Sequence, residues 1–186
     1  MKKKILAMLA MGALLLSGCT VKNDSKDGHP EGTKDGKLTI FATTGYLADA
    51  AKNIAPDAEI TTMVGPGGDP HTYQPTPQDI EKMQKSAVVL WNGLHLEAQM
   101  VKQLESLGNK QLAVGTKVDK NELLPWEEEG GHGNNKTESH DPHIWNSPKA
   151  WSQAVTATAA HLAKIDPKNA EKYTKNGKEY VGKIES

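Results

Sequence analysis

From Lys37 onward the chain alternates short apolar runs with amphipathic stretches, and several of those runs carry almost no polar position. Ala87–Trp91 (AVVLW) is the clearest case. A strand with one face in water alternates polar and apolar residues, so a strand that is apolar throughout must be covered on both faces. Lys37–Thr43 (KLTIFAT) reads as a strand, Leu47–Ile54 as a helix ended by Pro56, and Ala58–Val64 (AEITTMV) as a second strand. Pro77–Lys85 reads as a helix with Thr76 as N-cap and proline at the first helical position. Ala87–Trp91 is the third strand, Leu96–Leu107 a third helix, and Gln111–Val114 a fourth strand. This order predicts an α/β fold, a parallel β-sheet flanked by helices. A polar stretch then runs from Gly115 to about Asp141, followed by helices over Pro148–Ile165 and from Pro167 onward. The last of these is still in helical rhythm at Ser186, with neither a glycine cap nor a closing proline. The expectation is a truncated helix that leaves an apolar stripe exposed.

The first residues have a different purpose. Three lysines, Lys2 to Lys4, precede an apolar run from Ile5 to Leu16. That run is shorter than the roughly 20 residues a membrane-spanning helix needs, and the pattern is that of an export signal. Leu16-Ser17-Gly18-Cys19 resembles a bacterial lipobox, in which cleavage leaves Cys19 as the lipid-modified first residue. Cys19 is the only cysteine, so an internal disulfide and a cysteine-based metal site are both excluded. Residues 1–18 are therefore assigned as a signal peptide. Residues 19–36, polar and rich in Gly, Asp, Lys and Ser, cannot bury enough apolar surface to order themselves. They read as a flexible tether, His29 included, and 37–166 as the folded lobe.

Charge excludes one class of partner. Without the three leader lysines, the 22 basic residues fall to 19 against 23 acidic ones, and none of them is arginine. The planar fork that grips phosphate and guanine edges is absent, so no nucleic-acid partner is expected.

Two loops carry chemistry. Gly65-Pro66-Gly67-Gly68-Asp69-Pro70-His71 leaves the end of the second strand, where open parallel sheets place ligands. His140-Asp141-Pro142-His143 repeats the Asp-Pro-His tripeptide and is also read as following a strand. Proline stiffens each loop, so each histidine is presented with little freedom to lose on coordination. One Asp-Pro-His is ordinarily a turn with a surface histidine; two copies point to a shared site for a first-row metal. The ligating nitrogens should then lie roughly 3–4 Å apart, given metal–nitrogen bonds of about 2.1 Å. Asp69 and Asp141 are candidate acceptors for the second ring nitrogen of each histidine. His95, in Asn92-Gly93-Leu94-His95-Leu96-Glu97, and His140 are auxiliary candidates, with His95 expected mainly in packing or as a cleft wall. Glu97 reads as an acid favoured by a helix N-terminus, His161 as a packing or surface residue, and the four tryptophans as core or cleft-wall aromatics. Residues 127–136 form an acidic loop whose His132 is at most a weak metal scavenger.

The stretches GPGGDPHTYQPTPQD, NGLHLE and DPHIW, in this order and spacing, resemble the metal-receptor class of ABC-transporter solute-binding lipoproteins, the TroA-like zinc and manganese receptors. The resemblance runs from about Lys37 to Ser186. It implies one lobe of a two-lobed periplasmic-binding-protein-like fold, with 167–186 as the start of a long helix linking to a second lobe. It implies His71 and His143 as metal ligands, the remaining ligands lying in the second lobe. It also implies manganese or zinc as the transported ion, with the histidine-poor loop tilting towards manganese. An ABC-transporter permease is the implied partner, and the place of action is the outer face of the cell membrane, held there through the lipid on Cys19. Two alternatives come from other classes. One is an adhesin-type surface lipoprotein with a structural metal, for which no host-ligand site is visible. The other is a metal-dependent hydrolase, against which stands the lack of any HExxH, G-x-S-x-G or Walker pattern and of a base beside Asp-Pro-His. The chain is accordingly expected not to be an enzyme.

Overall fold

The computed structural model describes residues 31–126 and 140–186. The leader, Cys19, His29, most of the expected tether and the loop bearing His132 lie outside the described residues.

Four strands, β1 (Thr39–Ala42), β2 (Glu59–Thr62), β3 (Val88–Trp91) and β4 (Gln111–Ala113), form one sheet in the order β2-β1-β3-β4. All three pairings are parallel, with Ile40 opposite Ile60 and Val88, and Leu90 opposite Leu112. Alternation along the central strands divides the core in two. Ile40, Ala42, Val88 and Leu90 face a cluster shared with Leu47, Ala50, Ala51 and Ile54 of α1 (Gly45–Ile54) and with Trp151, Val155 and Leu162 of α4 (Pro148–Ile165). Phe41, Val89 and Trp91 face the other way, onto Met83 of α2 (Pro77–Lys85) and Leu104 of α3 (Val101–Glu105). Phe41 is wholly buried, a contribution of about 2–3 kcal/mol by apolar burial.

Local chemistry sets the boundaries. Thr76 caps α2 reciprocally with Asp79, and Ser147 caps α4, each with proline opening the helix. Pro167 opens only a short 3-10 turn, Pro167–Asn169, before α5 (Ala170–Ile184). The strands are shorter than expected, although backbone bonds continue past their ends, from the Met63 N–H to the Ala42 carbonyl at 2.8 Å and from the Thr43 N–H to the Leu90 carbonyl at 3.0 Å.

Four expectations need correcting. The helix expected over Leu96–Leu107 is helical only from Val101 to Glu105, because residues 94–100 form turns that carry Glu97 inward to the sheet edge. The Glu97 carboxylate is buried among backbone amides instead of lying at a helix N-terminus. The second Asp-Pro-His does not directly follow a strand: 3-10 turns at Val114–Lys117 and Lys120–Glu122 come between, and an isolated bridge, Pro125 to His140, leads into it. The folded chain also begins before Lys37, since the Gly32 carbonyl accepts the Thr39 hydroxyl and Lys34 pairs with Lys37.

Helix α5 packs across α4 and α1 rather than exposing an apolar stripe. Tyr173 is buried, and Tyr180, Val181 and Ile184 pack against the same cluster as α1 and α4. Tyr173 donates to Asp166 at 2.7 Å, and Asn176 donates to the Ile54 carbonyl, an otherwise orphaned group at the end of α1, at 2.9 Å. Close approach of the helices depends on Gly177, where an added Cβ would sit 2.6 Å from the Cβ of Ala159. Gly177→Leu should therefore lower stability by about 1–3 kcal/mol through overpacking, exceeding the roughly 1 kcal/mol gained by removing a helix glycine. Thermal denaturation followed by circular dichroism should show a lower midpoint. An unchanged or higher midpoint would mean that α4 and α5 are not in contact there.

Candidate metal centre

The two Asp-Pro-His copies fold into the same turn. Asp69 Oδ1 accepts the N–H of His71 at 2.9 Å, and Asp141 Oδ1 accepts the N–H of His143 at 2.8 Å. Each is an Asx turn across a proline whose φ is already set. The first loop is tightened by the Gly68 N–H to the Gly65 carbonyl at 3.0 Å, with Gly67 at φ +79°. It is then tied to α2 by Tyr73, whose hydroxyl donates to Asp79 at 2.9 Å.

These turns bring the imidazoles together at the carboxyl ends of the strands. His71 Nε2 and His143 Nε2 are 3.2 Å apart, with ring centroids at 5.2 Å. His143 Nδ1 meets Asp141 Oδ1 at 2.6 Å, which assigns the proton to Nδ1 in the neutral ring and leaves the Nε2 lone pair facing His71. Asp141 thus has the place expected of it beside its ring. Asp69 does not, because its second oxygen takes the Thr72 hydroxyl at 2.9 Å instead of the His71 ring. The His71 amide, followed by the Thr72 hydroxyl, holds the Asp69 carboxyl below its ordinary range.

The other candidates stay apart from this pair. His95 is exposed on a left-handed turn. His140 is half-buried on the bridge to Pro125, with Nδ1 buried and without a partner among the described residues. Burial pushes the half-buried His161 ring down. Among the described residues, no group of three or more His, Cys, Asp or Glu side chains is arranged to hold an ion. Trp91 and Trp151 are core residues, whereas Trp145 and Trp126 flank His143 at centroid distances of 5.2 and 5.9 Å. Tyr46 stacks on Trp145 at 4.6 Å, and both line a cavity of about 750 Å³ with Trp151, Tyr180 and the Gly65–Gly68 loop.

Residues 40–186 match the family described as zinc-uptake complex component A, periplasmic. The chain belongs to this family. Among curated relatives, the manganese-binding lipoprotein MntA of Bacillus subtilis is 35% identical over 97% of the chain and 55% of its own length. The zinc-binding protein TroA of Treponema pallidum is 34% identical over 96% of the chain and 54% of its own length. The chain spans about half the length of the curated relatives it matches. The solved structure of the Treponema pallidum periplasmic zinc-binding protein TroA superposes with a TM-score of 0.70 at 31% identity, covering 80% of this chain and 52% of that one. The family thus has the parallel-sheet architecture found here.

Sequence reasoning missed the network beneath the site. Glu97 is 2% exposed, and its carboxylate accepts the Thr43 hydroxyl at 2.6 Å and the amides of Asn92 at 2.8 Å and Gly93 at 3.1 Å. It holds a turn in which Gly93, Leu94 and His95 all have positive φ (75°, 54° and 65°), a conformation costing about 1–3 kcal/mol at each non-glycine residue. The available signal was an Asn-Gly directly after an apolar strand with an acid four residues on. Burial pushes the Glu97 carboxyl above its ordinary 4.5, against the Thr43 hydroxyl and the amides of Asn92, Gly93 and Glu97 itself, which favour the charged form. The folded protein therefore keeps this proton after the unfolded chain has released it. Stability should fall as pH rises above 4.5, until the folded group also ionises. Urea unfolding across a pH series should show this decline for the native sequence and its absence in Glu97→Gln. Identical pH slopes for the two would contradict it.

Proposed function

We propose that the chain captures a divalent transition metal, manganese or zinc, outside the cytoplasm and delivers it to the permease of an ABC importer. The observation that carries this reading is the 3.2 Å separation of two Nε2 atoms presented by matching rigid turns. Two bonds of about 2.1 Å at a right or tetrahedral angle separate their nitrogens by roughly 3.0–3.4 Å, so one ion satisfies both lone pairs. Asp141 anchors the His143 ring from behind and makes it a better donor. The names of relatives agree: manganese-binding for MntA, zinc-binding for TroA, and manganese ABC transporter substrate-binding lipoprotein for PsaA of Streptococcus pneumoniae. The ion is cargo, so the site binds and releases and catalyses nothing.

His71 and His143 supply two donors; water, or donors outside the described residues, fill the other positions. Two neutral imidazoles leave the ion's charge uncompensated, and an open edge keeps the local dielectric high. Calorimetry on the 186-residue chain should accordingly show modest affinity for manganese and zinc, weakened at least about tenfold by either His71→Ala or His143→Ala. It should also weaken as pH falls, because protons compete for the same lone pairs. Tight stoichiometric binding that survives both substitutions would overturn this site.

The lipid on Cys19 is the proposed anchor. Lipid attachment contributes about 0.8 kcal/mol per buried CH₂. Cys19→Ala should therefore shift the protein out of the membrane fraction or leave its precursor uncleaved on immunoblots. A fully processed, membrane-bound variant would refute the anchor.

A further inference from the structure

We propose that Asn92, clamped by the buried Glu97 carboxylate, is a positioning residue for the metal, its side-chain amide fixing the Pro142 carbonyl and so the place of the His143 imidazole opposite His71. This inference rests on the metal-capture reading of the histidine pair.

Asn92 is 1% exposed and lies one residue beyond β3. Its Nδ2 donates to the Gly93 carbonyl at 3.1 Å and, across fifty positions of sequence, to the Pro142 carbonyl at 2.9 Å. Both neighbours are acceptors, so the amide has only one orientation that works. Its Oδ1 is buried with no partner among the described residues. What Asn92 provides in return is the tie to the second Asp-Pro-His loop.

That tie sits where orientation is decided. Residues Asp141–Ile144 form a stiff unit: Asp141 Oδ1 takes the amide and ring nitrogen of His143, and the Pro142 carbonyl takes the Ile144 N–H at 2.8 Å. A unit that is rigid inside is aimed by its outside contacts. Those include the Asp141 N–H to the Leu124 carbonyl at 2.8 Å, the Asn146 and Ser147 N–H groups donating to the His143 and Ile144 carbonyls at 3.1 and 3.2 Å, the buried Ile144 side chain, and Asn92. Of these hydrogen bonds, that of Asn92 comes from the residue directly after β3. Asn92 is itself immobile, since its N–H donates to Glu97 and its carbonyl accepts the Gly115 N–H at 2.8 Å. Gly115 is required at that contact, because a Cβ there would lie 2.7 Å from the Asn92 carbonyl oxygen. The carboxyl ends of β1 and β3 are thereby connected, through Thr43, Glu97 and Asn92, to the backbone that carries His143.

The test is a double-mutant cycle on the 186-residue chain, with Co²⁺ as the spectroscopic probe. Asn92→Ala should weaken Co²⁺ binding about tenfold, alter its visible absorption and abolish the nuclear Overhauser contact between the His71 and His143 rings. In the His143→Ala background the same substitution should have no further effect on Co²⁺ affinity. Asn92→Ser, which keeps a donor on a shorter arm, serves if Asn92→Ala does not fold and should give the same coupling at smaller size. An equal loss in both backgrounds, or no loss, overturns the positioning role. Unchanged Co²⁺ binding in His71→Ala and His143→Ala overturns instead the metal site on which it rests.

Discussion

The central strands β1 and β3 have no face in water, and the rest of the molecule follows from that constraint. Ile40, Phe41, Ala42 and Val88 to Leu90 are essentially inaccessible, so polar chemistry cannot be mounted along the sheet. It is confined to the carboxyl ends of the strands, where backbone groups leave the ladder and must find partners. Thr43 and Asn92 stand at those ends, and Glu97 returns from the following turn to satisfy them. The buried Glu97 carboxyl gathers these donors and supports a left-handed turn strained at Leu94 and His95.

Above this layer the two histidine loops repeat one device. Asp-Pro-His closes an Asx turn in both, giving each histidine a backbone fixed by covalent stiffness and one short hydrogen bond. The loops differ in where the spare carboxylate capacity goes. Asp141 turns it to the ring of its own histidine, whereas Asp69 spends it on Thr72. One imidazole is consequently held in tautomer and direction, and the other is held through its backbone and the Tyr73–Asp79 contact behind it. Trp126 and Trp145 flank the held ring, giving it an apolar edge beside the cavity lined by Tyr46 and Trp151.

Helix α5 shows how packing overrides a reading made from pattern alone. Its apolar positions were expected to await another surface, yet Tyr173, Tyr180, Val181 and Ile184 lie against α1 and α4, and Gly177 brings the backbones close. An amphipathic stripe states that a face must be covered. It does not name the cover.

The sequence by itself determined the parallel α/β architecture, the bounds of α2 and α4, and the identity of the residues that meet at the site. Each of these is encoded locally: continuous apolar runs, Thr-Pro and Ser-Pro helix starts, and proline-stiffened Asp-Pro-His turns need no distant partner to be read. Tertiary structure decided what depends on groups far apart in the chain. The 3.2 Å meeting of His71 and His143, the inward fold of Glu97 that breaks the expected third helix, and the reach of Asn92 to Pro142 all join segments separated by fifty residues or more. Burial is the physical reason. A carboxylate or amide in water has no preferred partner, but once enclosed it must bond to whichever donor or acceptor the packed sheet brings within reach.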